Sequence, residues 1–339
     1  MKLDVGIAVD ANPLPTIAAT ARAADALGFA GIWTPETAHN PFLPLTLAAE
    51  HTTRIELGTA VAIAFPRSPM VTAQTAWDLA AFAPGRFILG LGTQVKTHIE
   101  RRFSTPWDAP TARLHDYILA LRAIWNAWQT GGRLNYRGQF YQHTLMTPFF
   151  NPGPISNPNI PIYIAGVNVG LAQLAGEVCD GFHVHPLHSA RYLHEVLRPQ
   201  ITLGAQKTGR TLNAVTLAAS VFVITGPDQA TTDRLRETVR SQIAFYASTP
   251  TYRSVLECHG WAATGEQLSA LAASQRWGEM GALITDEMLD AFAVEARPDQ
   301  LGRALRQRYN GLLDRLALYV PFVPGQYDAL WQGIIRDLA

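Results

Sequence analysis

Short apolar segments alternate with helical patterns along all 339 residues of this chain, and this alternation limits the possible folds more than any other feature. Repeated strand–helix units build parallel sheets, and eight of them favour closure into a barrel over the rival, an open doubly wound sheet. We therefore predict an α/β fold, a single (β/α)8 TIM barrel. The segments that we predict as strands are residues 3–9, 29–34, 55–63, 87–91, 160–165, 181–184, 215–224 and 316–320.

Several helix boundaries can also be predicted. A helix that starts near Leu14 should end at Gly28, because glycine suits the left-handed C-cap. Residues 69–82 form another helical segment, with Pro69 in the first turn, where its missing N–H costs nothing. Two regions break the rhythm and are predicted as insertions after strands 4 and 7. They are residues 131–159, rich in Gly, Pro and Asn, and residues 249–297, mostly weak helix, both within one domain that covers residues 1–339.

Composition excludes several classes of partner. Lys and Arg total 27, as do Asp and Glu, so no bulk charge favours nucleic acid or an anionic membrane. No apolar run approaches roughly 20 residues, and no signal-peptide pattern precedes the first strand. The two cysteines, Cys179 and Cys258, do not form a metal-ligand pair, and their scarcity fits a reducing compartment. We expect a cytoplasmic protein that acts on a small molecule.

Polar residues follow strand 2, where the catalytic face of a barrel lies. Glu36 offers a carboxylate and His39 an imidazole, which are the groups used for general acid–base catalysis. The alternative is a solvated turn, since the surrounding residues are common in turns. We predict that Glu36 and His39 are catalytic.

The segment after strand 4 is the most polar loop of the chain. Gly92, Thr93 and Gln94 would let the backbone approach a ligand, and Lys96 with the basic pair at 101–102 would hold an anion. The alternative is an ordinary helix start with basic surface residues. Gly-Leu-Gly is not a dinucleotide fingerprint, so the motif alone is weak.

Strand 5 leads into a helix through Gly166, Val167 and Asn168. Backbone N–H groups at a helix N-terminus attract phosphate, so this turn is a candidate phosphate site. A simple tight turn between a strand and a helix explains the same residues.

Two histidines, His183 and His185, share one face of strand 6. Such a pair binds metal in some hydrolases, but those barrels place it after the first strand and add an acid after the last, which this chain lacks. We predict no metal site, and we expect that one histidine lines a substrate pocket and the other packs. Trp33 and Phe65 would add an apolar wall to that pocket, although aromatic residues are more often plain core.

Several motifs in this order resemble the luciferase-like monooxygenase superfamily, and in particular its branch of coenzyme F420-dependent oxidoreductases. The resemblance covers nearly the whole chain. It rests on residues 57–62 (LGTAVA), 85–93 (GRFILGLGT), 161–166 (PIYIAG), 174–176 (LAG), 180–182 (DGF) and 94–103 (QVKTHIERRF).

The resemblance implies a barrel of the bacterial luciferase-like type that binds a deazaflavin at the carboxyl ends of the strands and exchanges hydride with a substrate. It also implies a cis peptide at Ala60–Val61 behind the ring, and a homodimer. The cofactor's phosphate-bearing tail would lie on the loops after strands 4 and 5.

The chain also departs from that family. Members that are dehydrogenases carry an acid followed directly by His after strand 2, whereas here Glu36 is followed by Thr37. They also carry an acid after strand 4, where this chain has Val95 or Lys96. Glu36 and His39 therefore remain the first choice for proton transfer, with the histidines at 98, 183 and 185 behind them.

Three other functions stay open at the sequence level. An FMN-dependent monooxygenase would use the same fold and activate oxygen. A metal-dependent hydrolase would be built on His183 and His185. A non-catalytic member would bind the cofactor without transferring hydride.

Overall fold

Eight parallel strands form a closed barrel in the computed structural model, which describes residues 1–9 and 12–339. Each barrel strand pairs with the next one along the chain, and the last pairs with the first, so the sheet has no open edge along the barrel. The predicted (β/α)8 barrel is confirmed. The barrel strands are β1 (Lys2–Gly6), β2 (Gly31–Thr34), β3 (Glu56–Thr59), β4 (Phe87–Gly92), β5 (Ile162–Gly166), β6 (Gly181–Val184), β7 (Thr216–Ile224) and β8 (Arg315–Leu318).

Helices surround the barrel and follow its strands. Their apolar faces meet the outward side chains of the strands, such as Leu3 and Val5 of β1, which are 4% and 3% exposed. Burying one such side chain stabilises the fold by roughly 2 kcal/mol. The helices are α1 (Leu14–Leu27), α2 (Phe42–His51), α3 (Pro69–Phe82), α4 (Lys96–Arg101), α5 (Pro110–Thr130), α6 (Val169–Val178), α7 (Ala190–Tyr192), α8 (Arg198–Gln206), α9 (Gln229–Ala247), α10 (Arg253–Glu257), α11 (Ala262–Ala273), α12 (Trp277–Met280), α13 (Asp286–Phe292), α14 (Leu301–Tyr309) and α15 (Asp328–Leu338).

The predicted ends of helices and strands agree best with the structure where a glycine or proline determines the end. Helix α1 ends at Gly28, whose φ of 100° is left-handed and whose N–H reaches the carbonyls of the last turn. Pro69 is the first residue of α3, after a cap from the Ser68 hydroxyl. Strand β1 ends three residues earlier than the predicted residue 9, because pairing with β2 stops at Gly6.

Both predicted insertions contain regular structure. The first holds an antiparallel ribbon of Tyr136–Arg137 with Gln142–His143. The second holds α10 to α13 and a short strand, Ala293–Glu295, that pairs parallel with β7. The sequence pattern missed this strand because three residues are too few to show a period. Among the helices in the described part of the chain, none is both long and apolar enough to cross a membrane.

Candidate active site

The lower half of the barrel interior, toward the amino ends of the strands, is filled by large side chains. Arg315 donates to both carboxylate oxygens of Asp4 at 2.7 Å, and the Trp33 indole N–H also donates to Asp4 at 2.8 Å. Tyr163 packs 5.8 Å from the Trp33 ring, measured between centroids. This layer fills the amino end of the barrel interior, so the space for a ligand within the barrel lies toward the carboxyl ends.

The upper half carries small side chains at the inward positions. Gly6, Ala60, Ala165 and Ser220 are each at least partly accessible, although they lie on strands or directly after one. A Cβ added to Gly6 would meet no atom within 4 Å. Small residues above a filled layer leave an open space, which we call the cup. The cup is the candidate active site, at the face where barrel enzymes hold their sites.

A bulge between β3 and β4 forms one wall of the cup. Pairing stops at Gly58 opposite Ile88 and resumes at Ala62 opposite Leu91, so that one strand holds an extra residue. The Thr59 hydroxyl bridges the gap, because it donates to the Gly90 carbonyl at 2.6 Å and accepts from the Gly90 N–H at 2.9 Å. The predicted strand 55–63 is therefore interrupted. The Ala60–Val61 peptide within the bulge is cis, as the resemblance implied.

Glu36 lies at the end of β2 and is tied to this bulge. Its carboxylate accepts two hydrogen bonds from Arg67, at 2.7 and 2.8 Å, and one from the Ile63 N–H at 2.7 Å. The Glu36 side chain is 8% exposed and that of Arg67 is 19% exposed. With three donors on its two oxygens, the carboxylate is well placed to hold the bulge. Its predicted role in proton transfer stays a prediction.

His39 lies further along the same loop and is exposed. Arg102, on the segment that follows β4, donates to the Thr37 carbonyl of this loop. Its guanidinium lies 4.9 Å from the centroid of the Phe103 ring. The loops after β2 and β4 are thus joined. Arg102, one of the two arginines predicted to hold an anion, therefore also has a structural role in joining these loops.

The loop after β4 places the predicted cofactor residues beside the bulge. A Cβ on Gly92 would meet the Val61 side chain at 2.5 Å, so the lack of a side chain at 92 lets the bulge pack. Thr93 and Gln94 are half-buried at the rim, and Gln94 has a positive φ of 59°. Lys96 is exposed and pairs with Glu100 at 2.6 Å. The structure brings these residues to one side of the cup, and their roles stay predictions.

The turn after β5 forms a capped helix N-terminus. The Asn168 side chain accepts from the Leu171 N–H at 2.9 Å, so it caps α6. Gly166 has no room for a side chain, because a Cβ would meet Leu171 at 2.8 Å. The Val167 carbonyl accepts from the Tyr192 hydroxyl at 2.6 Å, which fixes the turn from the other side.

A second helix begins beside this turn, and sequence reasoning missed it as part of the site. A Cβ on Gly170 in the first turn of α6 would lie 3.6 Å from the hydroxyl of Thr111, which is in the first turn of α5. Two helix N-termini thus converge at this rim. The signal was present in the sequence as Pro110 at the helix start, but only the fold shows which helix starts meet.

The four predicted pocket residues are not equivalent. Trp33 lies in the filled lower layer, and Phe65 is 3% exposed and packs 5.9 Å from the Trp107 ring. His183 lies against Trp33, with 4.7 Å between ring centroids, and its Nε2 atom is buried without a hydrogen-bond partner. Burial lowers the pKa of His183 to about 3, with a contribution from Arg315. The cup is therefore supported from below or from its edge by Trp33, Phe65 and His183.

His185 stands above His183 at the rim. Its Nδ1 accepts from the Leu187 N–H at 3.1 Å, so the ring proton is on Nε2. Burial lowers the pKa of His185 to about 3, which keeps the imidazole neutral. Its ring lies 4.3 Å from that of Tyr252 and 4.7 Å from that of Tyr246. The expectation that one histidine lines the pocket and the other packs stays a prediction.

Two tyrosines complete the rim on the β6–β8 side. The hydroxyls of Tyr246 and Tyr319 are 2.5 Å apart. Sequence reasoning missed both, although Tyr319 follows the inward Ala317 by two positions, and the alternation of β8 would have identified it. Tyr246 lies on α9, and nothing in its local sequence indicates that it reaches the barrel.

Metal ligands are not grouped in the described residues. No three His, Cys, Asp or Glu side chains in that part of the chain lie close enough together to hold one ion.

Comparisons with known proteins place the chain in a family. A family model described as luciferase-like monooxygenase matches residues 2–315. An uncharacterized protein of Mycobacterium tuberculosis is 48% identical over 316 residues, covering 93% of this chain and 92% of that protein. A 5,10-methylenetetrahydromethanopterin reductase of Methanolobus tindarius is 30% identical over 311 residues, covering 90% of this chain and 89% of the relative.

The solved structures agree with this fold. A coenzyme F420-dependent tetrahydromethanopterin reductase from Methanopyrus kandleri matches with a TM-score of 0.78 at 20% identity, over 99% of this chain and 98% of that one. At this identity the likeness concerns the fold alone. Since the family model spans all eight barrel strands at least in part, the protein belongs to the luciferase-like monooxygenase family.

Proposed function

We propose that this protein is an oxidoreductase that binds coenzyme F420 in the cup and exchanges a hydride with a small organic substrate. The observation that carries the proposal is the cup itself, an open upper barrel walled by Ala60 and Val61 and floored by large side chains. The Methanolobus relative is a reductase, and the Methanopyrus enzyme of the same fold is named as F420-dependent. The first name supports a reductase, and the second supports a deazaflavin.

The residues of the cup fit a flat ring system. Gly6, Ala165 and Ser220 are small, so a planar ring could enter between them and the bulge without displacing a large side chain. The bulge is held by Thr59 and by the Glu36–Arg67 pair, so this wall is rigid. A rigid wall orients a bound ring better than a mobile loop does.

The phosphate of the cofactor would be held where α5 and α6 begin. The first N–H groups of a helix have no partner within the helix and carry partial positive charge. In α6 these belong to Val169 and Gly170, and the Thr111 hydroxyl is close to Gly170. We propose that this pair of helix starts, with Thr93 and Gln94, binds the phosphate. Lys96 is proposed to bind the rest of the cofactor's anionic tail.

When bound, F420 supplies a ring carbon that accepts or donates hydride, and the protein supplies orientation and a shielded site. The bulge holds the ring from one side. The neutral His185 presents an N–H at the rim, which can donate to a substrate oxygen or nitrogen. We propose that His39 moves the proton between substrate and solvent, because it is the exposed imidazole on the loop above the cup. Glu36 is proposed to position the bulge.

A flavin monooxygenase is the second candidate. The family description favours it, because the family takes its name from monooxygenases. An FMN phosphate would use the same helix starts.

Turnover assays without and with oxygen test the proposal. The purified protein is mixed with reduced F420 and a panel of ketones, imines and enones without oxygen, and the visible absorbance of oxidised F420 is followed. We expect its appearance with at least one acceptor. Turnover of reduced FMN that needs oxygen, together with none in the anaerobic F420 assay, would instead establish the monooxygenase.

A further inference from the structure

The Tyr246–Tyr319 pair leaves hydrogen-bonding capacity at the rim of the cup. Two hydroxyls 2.5 Å apart share one proton donor between them, so the second O–H and further lone pairs stay available. Burial and the bond to Tyr319 both raise the pKa of Tyr246, so its hydroxyl keeps its proton at neutral pH. The Phe222 ring packs 5.0 Å from Tyr319 and fixes that side chain.

A groove runs outward from this pair along one face of α9. Its volume is about 560 Å³, and it is largely open to solvent. Thr238, Ser241, Gln242 and Phe245 recur at helical spacing, so they share one face of α9. We call this the tyrosine groove, and its lining is Thr238, Ser241, Gln242, Phe245, Tyr246 and Tyr319.

The outer end of the groove is aromatic and exposed. Phe245 is 55% exposed, and Trp277, 50% exposed, lies 6.0 Å away between ring centroids. Exposed aromatic side chains that adjoin a cleft often mark ligand contacts. The groove thus has a polar inner end at the tyrosines and an apolar outer end.

The lining of the groove consists of uncharged side chains, and its neighbour at the cup, His185, is neutral as well. A phosphate or carboxylate there would lose water without gaining a cationic partner, which is unfavourable. An uncharged body would instead bury apolar surface against Phe245.

We infer that the tyrosine groove is the substrate subsite of the cup, and that it takes an elongated, uncharged organic molecule with a carbonyl, hydroxyl or imine group at the Tyr246–Tyr319 pair. The inference rests on the proposed function, because it takes the cup as the place of reaction. It goes further in excluding sugar phosphates and carboxylates as the part of the substrate that fills the groove.

Three naphthalene probes of similar size test the inference. They are 2-acetylnaphthalene, which carries a carbonyl, 2-ethylnaphthalene, which lacks it, and 2-naphthaleneacetate, which carries a charged carboxylate. Each displaces the uncharged dye N-phenyl-1-naphthylamine from the full-length protein, with and without saturating F420. We expect the ketone to bind about tenfold more tightly than the hydrocarbon, as for one hydrogen bond. The carboxylate should bind at least roughly 100-fold more weakly than the ketone.

Binding to variants shows where on the protein the probes bind. The double variant Tyr246→Phe/Tyr319→Phe should remove the preference for the ketone, because either hydroxyl left alone could still donate to it. Phe245→Ala should weaken ketone and hydrocarbon alike by about tenfold. Phe149→Ala is the matched control, because Phe149 is 90% exposed on the first insertion. Equal binding of the three probes, failure of the ketone to bind, or equal loss in the Phe149 and Phe245 variants would overturn the inference.

The cofactor is measured separately on the same samples. Normal F420 binding by the double tyrosine variant and by the Phe245 variant, with the expected probe pattern, supports the groove as a distinct subsite. Loss of the probe pattern while F420 still binds rejects the groove alone. The expected probe pattern without F420 binding would keep the groove and reject the proposed cofactor.

Discussion

At the scale of single residues, Glu36 decides how the bulge is held. Its carboxylate accepts from Arg67 and from the Ile63 N–H, so one side chain links β2 to the segment that follows β3. The pair is largely shielded from water, and the remaining partner would be left with an unpaired charge if one were removed.

Glu36→Gln should therefore lower the free energy of unfolding by about 3 kcal/mol. Glu100→Gln is the control, because the Glu100–Lys96 pair is exposed and should contribute less than about 1 kcal/mol. Urea unfolding of both variants measures the difference. A Glu36 variant that keeps full stability but loses turnover would argue for a role in proton transfer instead.

Two glycines give a second test at this scale. Gly92→Ala places a Cβ 2.5 Å from Val61 and should destabilise the protein by about 1–3 kcal/mol. Gly6→Ala meets no atom within 4 Å, so its stability should stay close to that of the parent, while cofactor affinity falls because the new methyl enters the cup. Thermal unfolding and cofactor titration of both variants check this. If Gly6→Ala changes neither quantity, β1 does not line the ligand site.

At the scale of elements, the start of α6 carries the proposed phosphate site. Asn168→Ala should cost about 1 kcal/mol of stability, since it removes the cap. It should also weaken F420 binding more than binding of 8-hydroxy-5-deazariboflavin, which has no phosphate. Asp228→Ala removes the corresponding cap of α9 and serves as the control. Equal effects of the two variants on F420 affinity would contradict the phosphate site.

Sequence patterns predicted the elements well and the site only in part. Short apolar segments between helical patterns identified the eight strands, because outward residues such as Leu3 and Val5 must face the helices. The period of two along a strand also placed His183 and His185 on one face, but not at their different depths, since depth depends on which residues fill the layer below. Tyr246 and Thr111 join the site through packing between elements distant in sequence, and a local pattern carries no sign of that.

At the scale of the whole molecule, buried histidines set the response to acid. Burial lowers the pKa values of His183 and His185 to about 3 and that of His188 to about 4, from 6.5. The unfolded chain therefore binds more protons than the folded one between about pH 4 and 6.5. Stability should fall as the pH drops through this window, by about 1 to 2 kcal/mol for each histidine at pH 5.

Urea unfolding at pH 7, 6 and 5 measures this dependence. His188→Asn removes one titrating group while an amide can still donate to the His185 carbonyl, so its stability should fall less between pH 7 and 5. Stability that stays constant from pH 7 to 5 in the parent would contradict the neutral, buried state of these histidines.

The assembly of whole chains stays a prediction. Leu43, Val71 and Phe82 are exposed apolar residues on α2 and α3, which is consistent with a face that pairs with a second copy. Sedimentation velocity would show whether the expected homodimer forms.

The identity of the cofactor is the central claim, and direct titration tests it best. The purified protein is titrated with F420 and, separately, with FMN, and quenching of its tryptophan fluorescence is followed. We expect micromolar binding of F420 and much weaker binding of FMN. Tighter binding of FMN, or binding of neither, would contradict the account.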